Sequence, residues 1–326
     1  MIAVDDSANG KFAARIAGML AGTRGMPTTV LHITDAAKIE TKKPGNEETL
    51  ASKADDGKTA EKAAEDTTDE RKSEALKDAA KTVKAEKAEE KKAEKTGEAV
   101  KQAAEQIKST QKKEEKVDTP VNVTTIVHES PGADVIAAEA KKGYDLLVIG
   151  LEKMSKRGNE FHDSVTGIAL GFEGPLAIAD VRGGLARRPE ANLNILVPVN
   201  GTEPSRRGAE VAITLARATK AQITVLYVAV RPKGKRDHRR SIRTRRHEEA
   251  ILKEIVAIAD GYNMSVRTVV LADDAADGAI LTEVGRRKNN LIVMGVGRRP
   301  GEKLFFGDTA SSLLKDAACS LLFVAS

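Results

Sequence analysis

The residues best suited to chemistry lie in MGVGRRPGEKLFFGDTASSLL, residues 294–314. A strand is expected to end at Gly295, a loop with four glycines and three cationic residues crosses this segment, and a helix is expected to begin near Asp308. Such a loop presents backbone N–H groups and a helix N-terminus with no Cβ in the way, which suits phosphate. The spacing is neither GxxxxGK[ST] nor GxGxxG, and glycine at these positions serves a tight turn equally well. Other constellations carry less. Histidines 32, 128, 162, 238 and 247 show no metal-ligand spacing with Cys319 or with one another. His32 is expected to pack in the core or at its rim, and Cys319 to be a small core residue. No G-x-S-x-G elbow, Ser/His/Asp set or general base stands out, so no catalytic residue is assigned and no turnover is predicted.

The elements that position this loop follow from an internal repeat. YDLLVIG (144–150) is echoed by NNLIVMG (289–295), and the same offset pairs Asp163-Ser164 with Asp308-Thr309 and GPLAIAD (174–180) with CSLLFVA (319–325). Upstream, residues 2–21 parallel 195–216, and VLHI (30–33) parallels VLYV (225–228). Runs such as ILVPV (195–199), ITVLYV (223–228), VRTVVL (266–271), LIVMG (291–295) and LLFVA (321–325) read as strands buried on both faces. Between them, Val211, Ala212, Leu215 and Ala216 share one face of a helix that Thr202 or Ser205 could cap, and Ile280, Leu281 and Val284 follow a cap at Asp277. The fold class expected is α/β, two tandem open parallel-sheet domains of Rossmann-like type, with ligands at the carboxyl ends of the strands. Domain 1 comprises residues 1–35 and 119–184, and residues 185–192 link it to domain 2, residues 193–326.

Charge separates what remains. Residues 36–118 hold 20 Lys+Arg and 21 Asp+Glu with no aromatic residue, too polar to bury a core, and read as a low-complexity insert in domain 1, disordered or partly helical. Residues 231–247 carry nine Lys+Arg against Asp237 alone, so the pI of about 9.1 reflects one segment. That segment could lie on anionic lipid or stay a solvated loop. No aromatic residue interleaves its arginines to stack bases, so nucleic acid is not expected as a partner. A single cysteine excludes an internal disulfide and fits a reducing compartment. No apolar run reaches the length of a membrane helix, and no signal peptide opens the chain, so a cytoplasmic protein is expected.

On these residues the chain resembles the universal stress protein (UspA-like) family. Its nucleotide-binding members have a strand-one aspartate, a small residue after strand two and G-x2-G-x9-G-[ST] after strand four. Residues 193–326 are similar over nearly their full length. The resemblance implies an adenine nucleotide, ATP or a relative, with Asn200 and Val228 placing the nucleoside and Gly295, Gly297, Arg298, Gly307, Asp308 and Thr309 at the phosphates. Gly297 and Gly307 keep the long spacing. Gly295 stands two residues before Gly297 instead of three, Asn200 replaces the aspartate, and Asp308 stands where Ser or Thr is preferred. Asn200 lacks a carboxylate's charge-assisted strength. A carboxylate at Asp308 repels a triphosphate unless Mg²⁺ or a nearby cation intervenes, and it could equally cap the helix. In domain 1 only Asp5, Ile33, Gly150 and Ser164 match the pattern. Glu152 and His162 replace the two loop glycines, which implies a degenerate site.

The paired domains also resemble the cytoplasmic tail of bacterial cation/proton antiporters, and Met1 falls where strand one is already under way. The reading is a regulatory nucleotide-binding stress-response module, the cytoplasmic sensor region of such an antiporter, at the inner face of the membrane. Its expected partners are its own other domain in a pseudo-dimer, a second copy, a membrane transporter domain, and anionic lipid through residues 231–247. The alternatives are a scaffold whose two nucleotide sites have decayed and, less favoured, a soluble chaperone or RNA-associated factor.

Overall fold

The computed structural model describes residues 1–22, 28–33, 123–128, 133–140, 142–156, 160–230, 242–298 and 304–326. All of them belong to one unit spanning Met1–Thr34 and Gln102–Ser326. The insert expected at 36–118 lies outside the described residues. So do residues 231–241 of the basic segment.

Ten strands form one sheet in the order β3-β2-β1-β4-β5-β10-β9-β6-β7-β8. They are β1 Ile2–Val4, β2 Thr28–Ile33, β3 Val123–His128, β4 Leu147–Gly150, β5 Leu176–Asp180, β6 Asn194–Val199, β7 Gln222–Val230, β8 Arg267–Asp273, β9 Leu291–Val296 and β10 Ser320–Ala325. Each half runs third strand, second, first, fourth, fifth, so the second half repeats the first. Neighbours are parallel except β5 and β10, which pair antiparallel from Leu321↔Asp180 to Ala325↔Leu176. The fold is thus the open α/β sheet expected from the alternating pattern.

Two layers of helix cover the sheet. Helices α1 (Ala8–Gly22), α5 (Glu203–Thr219) and α6 (Ile242–Gly261) pack on one face, where Phe12, Ile16, Ala212, Leu215 and Ile255 join Val197, Val293 and Leu322 in a core. Helices α2 (Ala133–Ala140), α3 (Asp163–Leu170), α7 (Ala276–Arg287) and α8 (Asp308–Asp316) cover the other, where Ile136, Ile168, Ile280 and Leu313 meet Ile149, Ile292 and Phe323. Alternate residues of β9 and β10 go to opposite cores, which explains their unbroken apolar runs. Each fully buried Leu or Ile of this kind contributes about 1.5–3 kcal/mol. The short helix α4 (Gly183–Arg187) lies where a plain linker is expected, and it buries Leu185.

Three local expectations are corrected. β8 is the edge strand, exposed or half-buried throughout, and not buried on both faces. Thr202 is the residue before α5 but makes no side-chain cap; its hydroxyl donates to Asn200 Oδ1 at 2.7 Å, and Ser205 Oγ donates to the Thr202 carbonyl at 2.9 Å. α7 starts two residues earlier than expected, with Ala275 before it and Asp277 inside its first turn. Cys319 and His32 are buried, as their surroundings in the sequence suggest.

Candidate functional site

The carboxyl ends of β6, β7 and β9 bring together Asn200, Val228 and the Gly295–Arg298 segment, and Gly307 opens α8 beyond them. Because β6 is flanked by β7 on one side and β9 on the other, the strand order reverses between β6 and β9. A crevice is expected at such a point.

The two halves differ at this crevice. In the first half the β1–β4 ladder runs to the strand ends, Val4↔Gly150. In the second, β6 and β9 pair only as Ile195↔Leu291 and Leu196↔Ile292, although β6 continues to Val199 and β9 to Val296. Pro198 accounts for the early stop. The Asn194 carbonyl accepts from Asn290 N at 3.0 Å, so Asn194 faces the β9 side, and Leu196 and Pro198 face it too by the two-residue period of a strand. Proline has no N–H to give that ladder. Ala3 stands at its place in the first half.

Beyond the crevice, Gly297 is exposed, and a Cβ built there meets only Pro204 Cγ, at 3.9 Å. No protein acceptor takes its N–H among the described residues. In the first half the corresponding N–H, that of Glu152, donates to Asp5 Oδ2 at 2.6 Å, while Asp5 Oδ1 accepts from Ser7 N at 3.1 Å and from Ser7 Oγ. Asp5 therefore fills its own site with internal hydrogen bonds. Asn200 holds only a local turn, accepting from Thr202 N at 3.1 Å and from the Thr202 hydroxyl. Its Nδ2 has no partner among the described residues.

The helix starts diverge in the same way. Gly307 precedes α8 with φ 96° and ψ 167°, a conformation essentially restricted to glycine, and no side chain caps this end. The first-turn N–H groups are left facing outward with their partial positive charge. His162 precedes α3 with ordinary extended dihedrals, and its Nδ1 accepts from Ser164 N at 3.3 Å. The imidazole thus takes up a first-turn N–H of α3. Asp308 is exposed at the first position of α8, where it complements the helix dipole without making the cap expected of it. Thr309 follows in the same turn, half-buried.

Gly295 serves a different need from the one its motif position suggests. A Cβ there would lie 1.8 Å from the Pro204 carbonyl oxygen, and one at Gly208 would lie 2.4 Å from Gly295 N. These glycines let α5 rest backbone against backbone on β9. Gly150 plays the same part against Asn9 O and Ala13 Cβ. Val228 is half-buried on β7 opposite Leu271, and Ile33 is half-buried on β2 opposite His128. His32 Nε2 lies 3.0 Å from Asp6 Oδ1.

Arg298, expected at the phosphates, turns instead to the first half. Nη1 donates to the Phe172 carbonyl at 2.6 Å and the Gly174 carbonyl at 3.2 Å, and Nη2 to Ala169 at 3.0 Å. Burial lowers its pKa and the nearby Glu173 opposes that, so it stays a cation. Arg299 and Lys303 lie outside the described residues. Three phenylalanines also join the halves: Phe161 meets Phe306 edge-on at 5.3 Å between centroids and Phe323 at 5.9 Å. Sequence reasoning missed this cluster. The signal was available, because Phe161 and Phe306 stand at the repeat offset.

Among the described residues no group of three His, Cys, Asp or Glu side chains could hold a metal ion, and no helix is long and apolar enough to cross a membrane. Residues 242–247 of the basic segment form the first turns of α6, all exposed, with Ile242 at 72%.

Comparison with known proteins places the second half. Residues 192–325 match the model of the Universal stress protein family. Universal stress protein MJ0531 of Methanocaldococcus jannaschii is 28% identical over 138 residues, covering 40% of this chain and 80% of that protein. A universal stress protein from Archaeoglobus fulgidus DSM 4304 is similar in fold, covering 99% of this chain and 97% of its own at 14% identity and a TM-score of 0.53. A shorter universal stress protein from Archaeoglobus fulgidus, solved in complex with dAMP, covers 40% of this chain and 97% of its own at 18% identity and a TM-score of 0.33. Residues 192–325 are thus similar in sequence to the Universal stress protein family.

Proposed function

We propose that the second half binds an adenine nucleotide at the carboxyl ends of β6, β7 and β9 and acts as a regulatory module, while the first half binds none. The observation that carries this reading is the uncapped start of α8 at Gly307, whose counterpart in the first half is blocked by His162. Asn200 Nδ2 and Val228 would hold the nucleoside. The Gly297 N–H and the first-turn N–H groups of Gly307, Asp308 and Thr309 would hold the phosphates, each such charge-assisted bond being stronger than a neutral one. Mg²⁺ accompanying a triphosphate would offset the repulsion of Asp308.

The finer reading makes the chain the sensor region of a cation/proton antiporter at the inner face of the cell membrane. The exposed cationic start of α6 supports it, since each Lys or Arg near anionic lipid contributes about 1 kcal/mol. A second reading, a scaffold with decayed sites, is favoured by one observation: Arg298 is turned away from the phosphate positions. Isothermal titration of nucleotide-free protein with MgATP, ADP and AMP separates the two. One saturable site per chain supports the module. Two sites overturn the reading of the first half, and absence of heat under conditions that would detect micromolar affinity supports the scaffold.

A further inference from the structure

We propose that the end of α3 in the first half is coupled to the two described ends of the phosphate loop in the second, Gly297–Arg298 and Phe306–Gly307, so that the first half positions these glycines and responds to what they bind. The response to a ligand rests on the nucleotide reading above; the positioning does not.

Both described ends of the loop are gripped by the first half, and each gripped residue adjoins a glycine of the site. Arg298 follows Gly297, and its guanidinium joins the Ala169, Phe172 and Gly174 carbonyls. These carbonyls close α3 and its following turn, where a cation meets the negative end of the helix dipole. Phe306 precedes Gly307, and its ring lies on Phe161, between β4 and α3 of the first half. Gly297 and Gly307 therefore cannot shift by an ångström without moving a group docked on the first half.

The arrangement is reciprocal. At the repeat offset the partners of the Ala169 and Phe172 carbonyls are those of Leu314 and Ala317 at the end of α8. These two accept from Arg182 of the first half, at 2.5 Å and 2.8 Å. These two repeat-related helices, α3 and α8, are thus each closed by an arginine from the other half. The two arginines do not occupy repeat-related positions, Arg182 following β5 and Arg298 following β9, so the exchange belongs to the contact between halves and not to the repeat.

The coupling requires geometry and not charge alone. A guanidinium spans three carbonyls with fixed planar donors, which a lysine ammonium cannot reproduce. Linkage then requires that whatever the loop binds alters the end of α3, and that perturbing α3 alters the loop by the same factor.

Hydrogen exchange by mass spectrometry on the full chain tests this with Arg298→Ala, Arg298→Lys and Phe161→Leu. Without ligand, Arg298→Ala should raise exchange both at residues 169–174 and at 304–310. A rise confined to 169–174 would overturn the proposal. With ADP as probe, the wild type should gain protection at 163–174 as well as at 304–310. Protection that stops at the loop would also overturn it. Affinity in both Arg298 variants should fall about tenfold, within the range of ordinary coupling, by the same factor for AMP and ATP. A loss growing with phosphate number and restored by lysine would show direct phosphate contact instead. Phe161→Leu, which alters no charge, should weaken binding in the same sense, and unchanged affinity counts against the coupling. If the wild type binds no nucleotide the functional reading fails, and the ligand-free exchange still decides whether Arg298 positions the loop.

Discussion

Replacing Gly297 with Glu gives the second half the residue that Glu152 provides in the first, at a place where the fold tolerates it. A Cβ at Gly297 meets only Pro204 Cγ at 3.9 Å, so stability should stay within about 0.5 kcal/mol of wild type. The carboxylate would sit roughly 6 Å from a bound phosphate, and at an effective dielectric near 20 one such pair of charges repels by roughly 2–3 kcal/mol. That corresponds to a loss of about 30- to 150-fold in affinity. Titration of Gly297→Glu with adenosine, AMP and ATP at low and high salt reads this directly. Adenosine should bind as it does to wild type, the loss should grow with phosphate number, and about 1 M salt should remove most of it. Unchanged ATP affinity, or an equal loss for adenosine, would refute the placement of the phosphates beside Gly297.

Two further outcomes follow from packing and burial. Gly295→Ala should destabilise the chain by about 1–3 kcal/mol, because its Cβ would lie 1.8 Å from the Pro204 carbonyl oxygen and α5 would have to lift from β9; a melting temperature unchanged within a degree would contradict that contact. Burial pushes the Cys319 thiol up from 9.0 to about 11, the Arg182 charge offsetting only part of it. Its thiolate at pH 8 should be roughly 100-fold scarcer than that of an ordinary thiol, and alkylation correspondingly slow until the protein is unfolded. Since the folded state holds this proton more tightly, its contribution to stability should be present below pH 9 and lost between about pH 9 and 11. Fast alkylation of the native protein would contradict the burial.

Much of this was legible in the sequence, because apolar runs and a repeat offset report burial and strand order directly. The pairing of Asp5 with Asn200, Glu152 with Gly297 and His162 with Gly307 already indicates which half is open. What the pattern could not show was where each polar group turns. Asp5 fits the family's strand-one aspartate, yet in the fold its carboxylate is taken up by Ser7 and the Glu152 N–H. Arg298 stands among loop cations and reads as a phosphate ligand, but the Ala169, Phe172 and Gly174 carbonyls, at and beyond the end of α3, lie within its reach and take its donors instead. Gly295 and Gly297 look alike in a motif. Only the position of the Pro204 carbonyl separates a glycine needed for packing from one that leaves a path open. Pro198 was visible, but its effect depends on which side of β6 its missing N–H falls.

These contacts also explain why a half without an open site is not a passive neighbour. All six residues of β10 are buried, and the strand is paired on both edges, by β9 and by β5. Without the first half, Leu321 to Ala325 would lose their antiparallel partner, the Leu314 and Ala317 carbonyls would lose Arg182, and Phe306 would lose the ring it meets edge-on. The last two losses fall on the far end of α8 and on the residue before Gly307. An unpaired apolar edge strand is a site of association, and an unclosed helix end frays. The geometry at Gly307 therefore depends on both halves: its φ of 96° is local, but the position of α8 relative to β9 is held by Arg182 at one end and Phe161 at the other. A ligand at the proposed site would meet a surface that the first half keeps in register.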